Sequence, residues 1–383
     1  MSKGQRESEN IRIMKRVLFF IIIACMAGSL AMAQKAKRVL APGQEPVKFT
    51  TRRDLAPGQY AYRLDSIVNV ASYGTSSFHF TYDKQGRIAE MILRSKDDPS
   101  PAKYIYHYDK RGFCVGMDDY EVVGGKDVLL AETRTTYTDE GRMMKTEKKL
   151  YGNAGMLRQI ITDSYTYDQR GNCVEHMNQS LMKMSNTLNK SKTTYAYNAL
   201  NQQIEQVAYG HKVQEDKFFP NITTTREYDQ NGRVSHYTMI KTTGLVEDGT
   251  IECFIEYTEQ NGQVVRETRK GNSLEGDWSV VVENRAYDSY GNLVREDYEE
   301  DNQYYGSANY YYDLATKTEN VQGLDWYGKP GMAFLQLKML VQACKCKCRL
   351  MRVNGVNPFG DFEGMRGSST VGEDVRYYYT EIK

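Results

Sequence analysis

Hydrophobic and polar residues alternate along most of this chain, and the alternation is broken again and again by the same short polar cluster. Ahead of each break, apolar or aromatic side chains stand at every second position: Phe80 and Tyr82, Tyr106 and Tyr108, Tyr165 and Tyr167, Tyr195 and Tyr197, Ile255 and Tyr257. The intervening places hold Thr81, His107, Thr136, Thr166, Ala196 and Glu227. A period of two with one apolar face predicts half-buried antiparallel strands. After each break an apolar residue returns, at Ile88, Cys114, Met143, Cys173, Ile204, Val234, Val264 and Leu293, and opens a return strand.

The break itself is regular. A Tyr is followed four residues later by Gly at Tyr82/Gly86, Tyr108/Gly112, Tyr137/Gly141, Tyr167/Gly171, Tyr228/Gly232 and Tyr287/Gly291, and these pairs are assigned to the repeat turn, a structural role. Asp83, Asp109, Asp168, Asp229 and Asp288 follow the Tyr. Asp first and Gly last is the chemistry of a type I turn closed by an Asx bond. Tyr197 and Tyr257 fill the two gaps in the series, with turns that read one residue longer and carry Asn at the Gly offset. Successive tyrosines from Tyr82 to Tyr287 lie 26 to 31 residues apart, and Tyr312 begins a partial copy. A fixed period of this length marks a repeat architecture. The expected fold is all-β: about eight antiparallel hairpins of ~30 residues in 71–313, forming a long coiled or curled sheet. Sixteen strands exceed the roughly ten that an open twisted sheet carries. Spiral winding, partial closure and two facing layers all remain open to it.

The Tyr-Asp-x-x-Gly-Arg signature, with Arg87, Arg142 and Arg233 after the Gly, resembles the YD repeats of the Rhs family and the shorter secreted YD-like proteins of gut and oral Bacteroidota. The resemblance implies a β-hairpin repeat at the cell surface. In large Rhs proteins such repeats enclose a C-terminal toxin, and the run here is too short for that.

The flanks differ from the repeat. Met14-Lys15-Arg16, an apolar run from Val17 to Ala24 and Ala31-Met32-Ala33 before Gln34 have the layout of a secretory signal. Residues 1–33 are therefore assigned to it, with residues 1–13 open to being an over-extended start ahead of Met14, and with cleavage between Ala33 and Gln34. Ile22-Ile23-Ala24-Cys25 offers a second exit, in which Cys25 carries a lipid anchor and provides the chain's only route to a membrane. Residues 34–70 read as a Pro-Gly linker and a first capping strand, and 314–383 as a non-repeat segment. In that segment Cys344, Cys346 and Cys348 alternate with Lys345, Lys347 and Arg349. On a strand this puts three thiols on one face, placed for disulfide pairing.

Composition narrows the function. With 50 Lys and Arg against 49 Asp and Glu there is no field to steer the chain to nucleic acid. The mean hydropathy of -0.64 and 30 tyrosines suit a thin, half-exposed sheet. The five histidines fall at unrelated offsets, and no nucleophile elbow, phosphate loop or zincin helix occurs. No catalytic residue, cofactor or metal ligand is assigned. The acidic run Glu296 to Asp301 reads as a solvated edge. Tyr106, Tyr165 and Tyr195 are the ligand-contact candidates. The expectation is an exported, non-enzymatic protein, periplasmic, surface-held or secreted, with glycans or other envelope proteins as partners. The alternative is a repeat scaffold carrying a small effector domain in 314–383.

Overall fold

The structure, a computed structural model, describes residues 59–71, 74–96, 98–152, 155–242, 248–324, 338–356 and 372–382. The signal segment with Cys25, Ala33 and Gln34, and most of the linker, lie outside the described residues. The strands in chain order are β1 (Tyr62–Ala71), β2 (Gly74–Tyr82), β3 (Ile88–Ser95), β4 (Asp98–Tyr108), β5 (Cys114–Val123), β6 (Lys126–Tyr137) and β7 (Met143–Tyr151). There follow β8 (Leu157–Tyr167), β9 (Cys173–Met182), β10 (Thr187–Tyr197), β11 (Gln203–Lys212), β12 (Lys217–Tyr228), β13 (Val234–Lys241) and β14 (Gly249–Gln260). The last are β15 (Gln263–Asn272), β16 (Trp278–Tyr287), β17 (Leu293–Glu300), β18 (Gln303–Lys317), the two-residue β19 (Val321–Gln322), β20 (Cys348–Val356) and β21 (Gly372–Glu381), with the helix α1 (Lys338–Lys345) before β20.

Each repeat tip is built as its chemistry demands. At the first, the amides of Gln85 and Arg87 donate to the Asp83 carboxylate at 2.9 Å, and the Gly86 amide donates to the Asp83 carbonyl at 3.0 Å. Gly86 sits at φ +79°, where a Cβ is strained. Gly112, Gly141, Gly171, Gly232 and Gly291 repeat the arrangement. Their φ values lie between +78° and +86°, and each amide donates to the carbonyl three residues earlier, at Asp109, Thr138, Asp168, Asp229 and Asp288, over 2.9–3.1 Å. Partial burial works against the Asp83 charge, but the amides and the Arg87 guanidinium outweigh it and hold the carboxyl below its usual range. The tip at Tyr197 is not longer than the others. Asn201 adopts φ +60° in the Gly position and its amide donates to the Asn198 carbonyl, so Tyr197 pairs with Gln203 rather than Ile204. At Tyr257 the strand runs on to Gln260 and turns through Asn261-Gly262, both at positive φ, as a two-residue hairpin requires.

The sheet closes. Consecutive strands pair antiparallel from β1 to β18, β18 pairs with β20, β20 with β21, and β21 returns to β1. The result is a closed ring of twenty strands, not the open coiled sheet of about eight hairpins expected from the period. The missing units are two. β18 and β20 form a ninth hairpin interrupted by β19 and α1, and β21 with β1 forms a tenth, shared between the two ends of the chain.

Closure is marked by a belt of tyrosines. Tyr82 pairs with Ile88 across its tip, and the Ile88 carbonyl accepts the Tyr108 hydroxyl at 2.7 Å. Tyr108 pairs with Cys114, whose carbonyl accepts Tyr137 at 2.8 Å. The relay continues through Tyr167, Tyr197, Tyr228, Tyr257, Tyr287, Tyr312 and Tyr379. Leu64, the cross-strand partner of Tyr379, then accepts Tyr82 at 2.6 Å and completes the circle. Ten bonds at about 1 kcal/mol each amount to a sizeable share of a domain's net stability. Tyr137→Phe should cost about 1–3 kcal/mol, because it strands a buried carbonyl at Cys114; a fall in the urea midpoint with unchanged slope is the expected result.

The belt tyrosines and the residues two positions before them are buried or half-buried, whereas Ser164, Thr166, Thr225 and Glu227 on the opposite face are exposed. Side chains converge on the concave side of a closed ring, so the tyrosines point inward. Around the chain ends the interior is packed solid: Leu64, Ile67, Phe80, Tyr106, Leu350 and Tyr377 join Leu340 and Ala343 of α1 in one core. Away from it, the inner wall turns polar, with Lys148, Asp163, His176 and Asn178.

Candidate functional site

The three tyrosines singled out from sequence all face inward. Tyr106 is 7% exposed inside the core, which leaves no ring face for a ligand. Tyr165 stacks on His176 with centroids 4.6 Å apart, and His176 is itself held by Asp163 at 2.8 Å. Tyr195 lies half-buried opposite Gln206. The inward side of a ring is not an aromatic platform open to a polymer.

The turn residues named with them make up one rim of the ring and belong to the fold rather than to a ligand site. Gly86, Gly112, Gly141, Gly171, Gly232 and Gly291 offer no side chain, and their amides are already used within their own turns. At four of these tips, those of Gly86, Gly171, Gly232 and Gly291, the rim is also covered by a neighbouring side chain, Gln322 and Gln202 at the first and third. A Cβ on Gly171 would press on the Arg142 guanidinium, and one on Gly291 would meet the Lys347 ammonium at 2.5 Å.

The cysteines do not share a strand face. Cys344 belongs to α1, Cys346 lies in the link that follows and Cys348 opens β20. No disulfide joins any of the six described cysteines, Cys114, Cys173 and Cys253 included. Burial pushes the Cys346 thiol up to about 12, opposed by the Tyr312 hydroxyl 3.8 Å away. Cys344 and Cys346 pack as small apolar groups against the core that holds α1.

Glu296 is not a solvated edge either. It turns inward from β17 and accepts Tyr298 at 2.8 Å and also Tyr310. Arg285 on β16 reaches Glu283 at 2.5 Å, Glu267 at 3.1 Å and Glu296 at 3.6 Å, and Arg269 on β15 holds Glu267 at 2.5 Å. Three carboxylates face two guanidiniums, an excess of one negative charge in a nearly dry site. Burial, together with the Glu296 charge and against Arg285, accordingly raises Glu283 to about 7.

The outward face carries charge at mid-strand. Lys145, Glu147 and Lys149 pair along β7, Arg134 meets Asp118 at 2.6 Å between β6 and β5, and Arg295 meets Asp297 at 2.7 Å on β17. One sector is different. His236 on β13 stacks on Phe254 of β14 with centroids 4.5 Å apart and planes 11° apart, and Phe254 aligns with Trp278 of β16 at 6.4 Å and 17°. Phe254 is 43% and Trp278 48% exposed. Carboxylates flank the strip at the His236 end, Glu252 at 3.2 Å and Glu227 at 3.4 Å, and the Lys270 ammonium lies 5.8 Å from the Trp278 ring. Sequence reading missed this strip because Phe254 and Trp278 occupy the positions that alternate away from the tyrosine face. The available signal was an indole on a strand in a chain with 2 tryptophans.

No protein-family model and no curated protein matches the chain. Among solved structures it is similar to a TcdB2-TccC3-Cdc42 structure at 11% identity, over 66% of this chain and 16% of that one, with a TM-score of 0.30. It is also similar to a porin-like protein from Bacteroides uniformis at 11% identity, over 83% of this chain and 98% of that one, with a TM-score of 0.26. A porin-like protein from Bacteroides vulgatus matches at 13% identity over 54% of this chain and 92% of that one, with a TM-score of 0.26. The chain spans less than a fifth of the length of the toxin-complex chain. Likenesses at these TM-scores carry no conclusion on function.

Proposed function

We propose that the chain is an exported, non-enzymatic β-repeat barrel that stands in water at the cell envelope and acts by contact, with glycans or other envelope proteins as its partners. The observation that carries this reading is the outward face. A barrel that spans a bilayer shows lipid an apolar band about 25 Å tall, whereas β5, β6, β7 and β17 present paired charges there. A lipid-embedded pore is disfavoured on the same ground. The alternative of an effector domain in 314–383 loses ground, because β20 and β21 are part of the ring and α1 belongs to its core.

Fractionation of cells expressing the full chain tests this. The expected result is an envelope or secreted fraction whose mature N-terminus, read by mass spectrometry, is Gln34 or acylated Cys25. A Gln34 chain should be released by salt without detergent. A chain starting at Met1 in the cytosol, or a Gln34 chain that only detergent extracts, overturns the reading.

A further inference from the structure

From the turns on the rim opposite the tyrosine tips we infer a docking surface for an anionic phospholipid bilayer. This adds a partner to the contact reading above and does not rest on it. The turns that join β5 to β6, β7 to β8, β9 to β10 and β11 to β12 follow one another along that rim, because antiparallel neighbours place alternate turns at opposite ends of the ring. Each carries an exposed apolar side chain: Val123 is 50% exposed, Met156 69%, Met184 87% and Val213 55%. Singly, such a residue is ordinary. Here it recurs on four consecutive hairpins, at or beside positions that turn chemistry fills with Gly, Asn, Asp or Ser. Among the described residues, the turns of the tyrosine rim show water one large apolar side chain, Leu200.

Charge says what covers them. Lys126, Arg158, Lys183 and Lys217 stand exposed at the same four turns, and among the described residues none of them meets a carboxylate within ion-pair distance. The carboxylates nearby are already held: Asp127 by Lys103 at 2.7 Å, Asp216 by Lys190 and His211 at 2.8 Å, and Glu215 by Lys212 at 3.8 Å. Each apolar side chain thus sits beside one uncompensated cation. Across the ring the same rim turns acidic, with Glu275, Asp277 and Asp301 exposed at the turns after β15 and β17. An anionic surface therefore attracts one arc and repels the other, which fixes the approach. Neighbouring hairpins lie about 10 Å apart. Four separated apolar points with cations between them do not make the continuous core of a protein interface. They fit a fluid surface, in which each apolar tip sinks among acyl chains while the cations meet phosphates.

The test is cosedimentation of the chain from Gln34 onward with lipid vesicles. Vesicles of equal parts phosphatidylglycerol and phosphatidylcholine should carry the chain down, pure phosphatidylcholine vesicles should not, and molar salt should release it. Met156→Ser with Met184→Ser, and Lys126→Glu with Lys183→Glu, should each weaken binding about tenfold or more. Both pairs should keep the parental urea midpoint, because all four positions are exposed. Lys84→Glu with Lys110→Glu makes the same change of charge on the tyrosine rim and should leave binding within about twofold. Met184→Trp should add an emission that shifts to the blue on anionic vesicles. Equal binding to the two kinds of vesicle, or the same loss from the tyrosine-rim pair as from Lys126→Glu with Lys183→Glu, overturns the assignment to this arc. Binding that survives the two serines, with no blue shift from Met184→Trp, overturns the part given to the apolar tips. A chain that stays in solution with both kinds of vesicle overturns the docking surface and leaves the contact reading standing.

Discussion

A chain ending at residue 371 is expected to lose its cooperative fold. The cut removes β21, and with it Val375 and Tyr377, which are 0% and 2% exposed, and the Tyr379 hydroxyl that the Leu350 carbonyl accepts. It also uncovers Leu64 and Ile67 on β1, both 0% exposed, and Val353 on β20. Burial of three such side chains is worth roughly 2 kcal/mol each, before the lost ladders are counted, against a total stability of about 5–15 kcal/mol. Two unpaired edges then invite strand addition from other molecules. Far-UV circular dichroism with urea should show a broad, non-cooperative loss, with dye binding and aggregation at micromolar concentration. The paired control is a circular permutant. The Ile382 amide already donates to the Ala61 carbonyl at 2.9 Å, and Tyr379 already faces Leu64 as Tyr82 faces Ile88. Joining Tyr379 to Leu64 through Asp-Lys-Gln-Gly-Arg supplies the tip that the tenth hairpin lacks. New ends fit between Gly124 and Gly125, at an exposed turn with open space around both. The permutant should match the parent in stability. A truncated chain with a sharp transition at the parental midpoint would mean that the ring is not closed by its ends.

The same split hairpin explains what the sequence could and could not disclose. Eight tips are legible because each is local: in seven of them Asp83 or its equivalent meets its own turn amides within four residues, in the eighth Asn261-Gly262 makes the turn, and no distant part of the chain is needed. The tenth hairpin has no tip, and its strands lie at opposite ends of the chain, so neither Leu64 nor Tyr379 carries any local mark of its place in the belt. The ninth is masked by the insertion of β19 and α1 between Asp313 and Cys348. Asn201 deceived for a different reason. Its tolerance of positive φ lets it stand in for Gly, and counting to the next apolar residue, Ile204, shifted the register by one. The Cys-Lys alternation imitated a strand, yet Cys344 and Lys345 end α1, which forms because Leu340 and Ala343, three residues apart, fill one face against the core. The aromatic strip depends on pairing across strands 18 and 24 residues apart, which a period of about thirty residues does not register. What is local in this chain was readable; what depends on closure was not.

The second large effect concerns pH. Glu283 is raised to about 7 in the folded ring, first by burial and then by Glu296, with Arg285 opposing; in the unfolded chain it titrates near 4.5. Between those values the folded state holds a proton that the unfolded state has released, so the stability this group contributes is full below about pH 4.5 and is lost as pH rises to about 7, flattening above it. The span corresponds to about 3 kcal/mol. The tip aspartates act with the opposite sign. Asp83, Asp168 and Asp229 are held below their ordinary value in the fold, so their contribution is present above about pH 4 and disappears as pH falls through the folded values. Stability should therefore peak on the acidic side of neutrality, between two limbs of different origin. Glu283→Gln keeps the shape and hydrogen-bonding ability of the protonated acid and removes the excess charge that Arg269 and Arg285 leave unbalanced among Glu267, Glu283 and Glu296. At pH 7.5 the variant should be more stable than the parent by up to about 3 kcal/mol. Its urea midpoint should no longer fall between pH 4.5 and 7, while the acid limb remains. A variant less stable than the parent at pH 7.5, or one with the same slope, would show that Glu283 is ionised in the fold and that Arg285 outweighs its burial.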